Sequence, residues 1–231
     1  MRICVYASAS QKTSPRFMAE GRKLGALVAA RGHVLINGGG RFGGMGAMNE
    51  ACSAAGGAIE CVIHEMFVVD EKEFGGARKM IVAGGDDLGE RKRLLVKNCD
   101  ALIVMPGGVG TIDEMWDAAS NLQLGFKSAR PVVLVNVDGY YDSTLAQLRR
   151  AYDEGLTSKA PEELLHAVPD AAAALDWCEK QATADAFTAG NRAFQRPKAA
   201  KRPAFDFSAF GAGAVAGAAV AAVAVACRAR N

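Results

Sequence analysis

The 231-residue sequence has little of what metal or disulfide chemistry requires. It holds three His in all, and its six Cys (Cys4, Cys52, Cys61, Cys99, Cys178, Cys227) form no Cys-x-x-Cys pair. Zinc sites are built from such spacings, so no metal is expected. No basic stretch leads into an apolar one near the start, so no secretory leader is expected, and Met1–Tyr6 reads instead as a first strand. The body is therefore expected to be cytoplasmic, with reduced thiols and no disulfide framework. Net charge is small, +2, which argues against a dedicated nucleic-acid binder. There is no internal repeat. Disorder throughout is excluded, because half of the residues are apolar and 23% are charged.

What is present is unevenly spread. Residues 1–183 carry 20 Lys+Arg against 23 Asp+Glu, whereas residues 184–231 carry 7 against 2. That split reads as an acidic globular body, 1–183, followed by a basic linker, 184–208, and an uncharged stretch, 209–227. The last stretch holds ten Ala, four Val, three Gly, one Phe and one Cys. As one helix its nineteen residues would span ~28 Å, near the thickness of a bilayer core. Basic residues flank it, so it is a candidate tail anchor that leaves the body in the cytosol. A low-complexity Ala-rich helix, free or folded on the body, is the competing reading.

Within the body, short apolar runs alternate with helical stretches. Ile3–Ala7, Val34–Ile36, Ile59–Ile63, Ala101–Met105 and Pro131–Val135 read as strands. The intervening segments read as helices, roughly 15–31, 45–56, 87–98, 111–124 and 141–154, with a further helix or two in 161–183. Residues 64–85 read as irregular. Strands apolar on both faces and joined by helices make a covered parallel sheet. The expected fold is therefore α/β: a doubly wound, Rossmann-like parallel sheet with helices on both faces, plus the C-terminal tail. Ligands in such folds bind beyond the carboxyl ends of the strands.

Two glycine clusters fall at such ends. The first, Asn37-Gly-Gly-Gly-Arg-Phe-Gly-Gly-Met-Gly46, allows close backbone approach to a ligand and leads into a helix N-terminus that favours anions. Tight turns and close packing are the plain alternative. No acidic residue closes Ile59–Ile63, so a dinucleotide ranks low. The second, Met105-Pro-Gly-Gly-Val-Gly-Thr-Ile-Asp-Glu114, places carboxylates where a phosphate loop would carry Lys and Ser or Thr. Thr111 with Glu114 has the spacing of a capping box, which is the ordinary reading. The functional reading seats a phosphate on the glycines and a ribose on Glu114, whose charge can also stabilise an oxocarbenium-like C1′. Glu90-Arg91-Lys92-Arg93 is either a solvated helix face or a clamp on the same ligand.

With these residues assembled, the chain resembles the LONELY GUY family, cytokinin riboside 5′-monophosphate phosphoribohydrolases that are often labelled lysine decarboxylases. The resemblance covers about residues 2–156. The family's P-G-G-x-G-T-x-x-E is matched by Pro106, Gly107, Gly108, Gly110, Thr111 and Glu114. Its G-G-G-x-x-G-x-M-G is matched by Gly38, Gly39, Gly40, Gly43, Met45 and Gly46, and its Arg-Lys by Arg91 and Lys92. Asn136-Val-Asp-Gly-Tyr-Tyr141 is also similar. Departures are Ala7-Ser8-Ala9-Ser10, where only Ser10 keeps the family's residue, Gly89 in place of a His, and residues 64–85.

The resemblance implies hydrolysis of an N-glycosidic bond in a nucleoside 5′-monophosphate, giving free base and ribose 5-phosphate. It implies no cofactor and no metal, and a homodimer with the site near the subunit interface. Arg91 and Glu114 take the catalytic places. Substrate contacts are expected from Ser10, Gly39, Gly40, Gly43, Met45, Gly46, Arg91, Lys92, Gly107, Gly108, Val109, Gly110, Thr111, Ile112 and Asp113. A broader purine 5′-nucleotide nucleosidase, or a non-catalytic nucleotide carrier on the same fold, remains the alternative. Apolar residues on helices three and four (Leu94, Leu95, Met115, Trp116, Leu122) suit the sheet and, in part, a helix-on-helix dimer.

Overall fold

A computed structural model describes residues 1–68, 73–126 and 129–183; both tail segments, 184–208 and 209–227, lie outside the described residues. The first half runs β1 (Arg2–Tyr6), α1 (Pro15–Ala30), β2 (Val34–Asn37), α2 (Gly43–Ala54), β3 (Ala58–His64), β4 (Lys79–Ala83) and α3 (Gly89–Val96). The second runs β5 (Ala101–Val104), α4 (Val109–Leu124), β6 (Val132–Val135), α5 (Asp142–Asp153), α6 (Pro161–Leu164), β7 (His166–Val168) and α7 (Ala171–Thr183). The sheet order is β4-β3-β2-β1-β5-β6-β7. Every pairing is parallel; Ile3, for example, sits opposite Leu35 on one side and Ala101 on the other.

Side chains alternate across the strands, which splits the core in two. Ile3 and Val5 point into a layer with Leu24 and Val28 of α1, Met48 of α2 and Leu175 of α7. Cys4 and Tyr6 point into the opposite layer with Leu95 of α3, Met115 of α4 and Leu148 of α5. Leu94, Trp116 and Leu122 are half-buried against this same layer, so much of the apolar face expected for a partner helix is already used within the chain. The five buried Cys at 4, 52, 61, 99 and 178 are free thiols.

The order in which strands are added to the sheet reverses at β1: β2 lies on one side and β5 on the other. The carboxyl ends of β1 and β5 are thus a topological switch point, where a doubly wound sheet leaves a crevice.

Two strands differ from the sequence reading. Residues 64–85, expected to be irregular, contain a 3-10 turn at Glu65–Phe67 and the edge strand β4. Val82 of that strand is exposed, as an edge position allows, so the run lacks the fully apolar character of the central strands. The stretch expected to hold only helices after 161 also supplies β7, three residues at the opposite edge. Among the described residues no helix is long and apolar enough to cross a membrane.

Candidate active site

A cavity of about 420 Å³ opens at the switch point. Its wall is made by Ala7–Ser10 after β1, by Gly38, Gly40, Arg41, Phe42 and Met45 after β2, and by Ile63 and Phe67 at the end of β3. Leu88 and Arg91 of the α3 segment, and Gly108, Gly110, Thr111, Asp113 and Glu114 of the α4 segment, complete it. That size suits a nucleotide-sized ligand.

The first glycine loop is shaped from below by two buried amides. Asn37 Nδ2 donates to Asn49 Oδ1 at 2.6 Å, and Asn37 Oδ1 accepts the Gly39 N–H at 2.8 Å. Gly43 starts α2 at φ +64°, and a Cβ there would fall 2.6 Å from the Ser8 carbonyl oxygen and 2.8 Å from that of Ser10. Only glycine therefore lets α2 approach the β1 loop, to which the Met45 N–H is bonded through the Ser8 carbonyl at 3.0 Å. Hydroxyls stiffen that loop: Ser8 Oγ lies 2.8 Å from Thr13 Oγ1, which donates to the Ser10 carbonyl at 2.7 Å.

The second glycine loop delivers a helix end. α4 begins at Val109, with Gly108 as an extended N-cap that supplies no side-chain hydrogen bond. The N–H groups of its first turn thus lack a side-chain cap and carry the helix's partial positive charge beside the cavity. The Thr111–Glu114 capping box, the ordinary alternative for Glu114, is not formed. The helix starts two residues before Thr111, and Glu114, now inside the helix, is bonded to Arg91 instead.

Arg91 and Glu114 are the electrostatic centre. Arg91 Nη1 donates to Glu114 Oε1 at 2.7 Å, and Arg91 Nε donates to the Val62 carbonyl at 3.1 Å. Arg91 is 8% and Glu114 7% exposed, so the pair is nearly desolvated. Burial pushes the Glu114 carboxyl above the usual carboxylate range, while the Arg91 charge and hydrogen bond pull it back down. Gly38 makes room for the guanidinium: a Cβ there would sit 2.1 Å from Arg91 Nη2.

Of the expected contacts, Ser10, Gly40, Met45, Arg91, Gly108, Gly110, Thr111, Asp113 and Glu114 line the cavity. Gly39, Gly43, Gly46 and Gly107 do not; the first three are packed under the first loop, and Gly107 lies against Thr111. Val109 is turned to solvent and Ile112 packs into the core. Lys92 is held outside the cavity wall by Asp113, with Nζ 3.1 Å from Oδ2 and 3.2 Å from Oδ1.

Residues that the sequence reading passed over are mostly apolar. Phe67 reaches the rim because the His64 ring orders the turn after β3: its Nδ1 accepts the Met66 N–H at 3.2 Å, and its Nε2 faces the Gly85 carbonyl at 3.1 Å. With Ile63, Phe42 and Leu88 it gives the cavity an apolar side. The rule that ligands sit beyond strand ends would have found Ala7–Ser8 and Ile63, but nothing local marks Phe67 or Leu88. No group of three or more His, Cys, Asp or Glu is disposed to hold a metal ion among the described residues.

A family model described as "Possible lysine decarboxylase" matches residues 45–178. A cytokinin riboside 5′-monophosphate phosphoribohydrolase of Mycobacterium tuberculosis is 37% identical over 176 residues, 76% of this chain and 92% of that protein. One from Arabidopsis thaliana is 33% identical over 170 residues, 74% of this chain and 78% of that protein. Among solved structures, the molybdenum cofactor carrier protein of Chlamydomonas reinhardtii shares the fold, with a TM-score of 0.57 at 22% identity over 78% of this chain and 96% of that one. On its match to the family model and its identity to these relatives along most of their length, the chain belongs to the LONELY GUY family of phosphoribohydrolases.

Proposed function

We propose that this protein hydrolyses the N-glycosidic bond of an adenosine-type 5′-monophosphate, and in the narrower form of a cytokinin riboside 5′-monophosphate. The observation that carries this reading is the buried Arg91–Glu114 pair standing beside the uncapped N-terminus of α4. The helix end suits a phosphate. Glu114, five residues further along the helix than its first residue Val109, suits the ribose end of the same ligand. The apolar side made by Phe42, Ile63, Phe67 and Leu88 suits the base and an apolar N6 substituent.

In the reaction the C1′–N9 bond breaks and its electron pair stays on the base. Water oxygen bonds to C1′, and a proton from that water ends on the released base. Positive charge develops at C1′ on the way, and a carboxylate in a desolvated site stabilises it far better than one in water. Arg91 holds Glu114 in one rotamer, and its charge and hydrogen bond oppose the rise that burial gives the carboxyl. A carrier on the same fold needs the glycine loops but gains nothing from a buried carboxylate next to its anion, which favours the enzyme. A wider purine nucleotide range would use the same residues.

The test incubates the protein with AMP and with N6-isopentenyl AMP and follows release of base. Equal amounts of base and ribose 5-phosphate are expected, faster from the substituted nucleotide. Tight binding of both without release would turn the reading to a carrier. We also propose a homodimer, supported by exposed Leu124 and Phe126 at the end of α4, to be checked by light scattering. The 209–227 stretch is proposed as a tail anchor; full-length protein pelleting with carbonate-washed membranes, and a version ending at Thr183 staying in the supernatant, is the expected pattern.

A further inference from the structure

The Asn136–Tyr141 motif has no part in the reaction described above, yet it lies directly behind the second glycine loop. Tyr140 Oη donates to the Gly107 carbonyl at 2.5 Å, and Tyr141 Oη donates to the Met105 carbonyl at 2.7 Å. Two successive phenols therefore hold two carbonyls of the loop that ends in the α4 N-terminus. The segment that presents them is itself constrained. Asp138 lies at φ +50° and Gly139 at φ +74° in the turn just before Tyr140, and a non-glycine residue in that region is held there only by its surroundings. Asn136 Oδ1 accepts the Tyr141 N–H at 2.7 Å, and Arg16 pairs with Asp138 at 3.0 Å. The Tyr140 ring is clasped edge-on by Phe17 at 5.3 Å and by Tyr141 at 4.9 Å.

The two phenols do different work. Tyr141 is 1% exposed and belongs to the core. Tyr140 is 41% exposed, so it adds little to the core, and its hydroxyl grips a peptide of the second glycine loop. The Gly107–Gly108 peptide has glycine on both sides, and no Cβ opposes its rotation. In a trans peptide the C=O and N–H point in opposite directions. Holding the Gly107 carbonyl on Tyr140 therefore turns the Gly108 N–H away from Tyr140, on the residue that lines the cavity at the α4 N-terminus. If that peptide flipped, a carbonyl oxygen would replace a donor next to the anion.

We propose that Tyr140 is a positioning residue that locks the Gly107–Gly108 peptide so that its N–H serves the 5′-phosphate. The inference rests on the reading of the α4 end as the phosphate seat, but not on the hydrolysis itself.

The experiment is calorimetric binding of AMP and of adenosine to the full chain, wild type and Tyr140→Phe, alongside kinetics of base release. The substitution keeps both ring contacts and removes only the hydroxyl. Expected is an AMP Kd about tenfold weaker, the scale of one hydrogen bond. Adenosine binding should be unchanged, and KM for AMP should rise with little change in kcat. Phe17→Leu loosens the ring but leaves the hydroxyl, and should keep the wild-type ratio of AMP to adenosine affinity. The proposal is overturned if Tyr140→Phe weakens both ligands equally or neither. Phe17→Leu shifting the ratio as far as Tyr140→Phe would overturn it too, as would a wild type that shows no preference for AMP over adenosine. If the wild type binds as expected but releases no base, the hydrolase reading fails and this one stands.

Discussion

Two glutamate–arginine clusters sit at opposite ends of the same sheet, and they have opposite characters. At the amino end, Glu60 of β3 is gripped by Arg2 of β1 at 2.7 Å and by Arg78 before β4 at 2.6 Å. Its pKa is lowered to about 2, chiefly by the Arg2 hydrogen bond. At the carboxyl end, Glu114 has one arginine, faces a cavity, and is raised by burial. Residue types and distances are nearly the same, so proximity of opposite charges is not what marks a site. What differs is water. Glu60 keeps its charge cheaply because its partners reach solvent, whereas burial raises Glu114 against the pull of Arg91 and, more weakly, of Lys92. A carboxyl whose ionisation its surroundings resist, beside an open cavity, is poised to respond to charge that appears there.

The largest effect expected from this contrast is on turnover. Glu114→Gln should slow base release at least ~100-fold, the scale of losing one preorganised electrostatic group, while AMP still binds. Glu60→Gln should leave the rate within twofold or so, roughly the noise of a surface-type change. Kinetics on the two purified variants decide it; similar losses in both would mean that the amino-end cluster matters through the fold and that the two glutamates do not differ in role.

A smaller effect should follow from moving Arg91 without deleting it. A methyl at Gly38 would meet the Arg91 guanidinium, the far end of a flexible side chain, and not backbone. Gly38→Ala should therefore fold, displace the guanidinium, and lower kcat/KM about tenfold, as a misplaced charged hydrogen bond would. Unchanged melting with unchanged activity would show that the Arg91 position is not critical.

The contrast also bears on what the sequence could reveal. β1, β2, β3, β5 and β6 were legible because each is a short apolar run that ends in a polar or glycine-rich turn. β4 and β7 were not, because edge strands bury less and carry a weaker pattern. Both glycine loops were legible as strand-to-helix turns. The start of α4 was misplaced because an extended glycine, Gly108, takes the cap place that a threonine would ordinarily hold. Pairing was the hidden part. Arg91 and Glu114 are 23 positions apart, as far as any local pattern is concerned unrelated, and only the side-by-side placement of α3 and α4 on one face joins them. Lys92, adjacent to Arg91, points to Asp113 instead, a distinction of helical phase that the motif alone does not make.

Next in size is the acid limb of the pH–rate profile. Base release should fall as Glu114 takes up a proton, with a midpoint above the ordinary 4.5 because burial raises it. Glu60→Gln should leave that midpoint where it is. A limb at or below 4.5 in the wild type would indicate that Arg91 outweighs burial, and that the carboxyl at the cavity is no less comfortable than the one at the amino end.

The smallest effect is on acid stability, and here the two glutamates should pull in opposite directions. Glu60 is lowered from 4.5 to about 2 in the folded chain. Its contribution is therefore present above 4.5 and is lost as pH falls toward 2. The full gap corresponds to about 3 kcal/mol at most. Arg78 is 58% exposed and Arg2 partly so, which screens the pair and brings the expected loss to about 1 kcal/mol. Glu114, raised in the folded chain, behaves the other way: its ionisation costs stability as pH rises through its folded value, and protonation relieves that cost. Urea melts at pH 5 and pH 3 should accordingly show a drop in the wild type that Glu60→Gln reduces and Glu114→Gln does not. A drop that survives Glu60→Gln undiminished would place the acid-sensitive group elsewhere, and would remove the claim that the amino-end cluster is a stabilising pair at all.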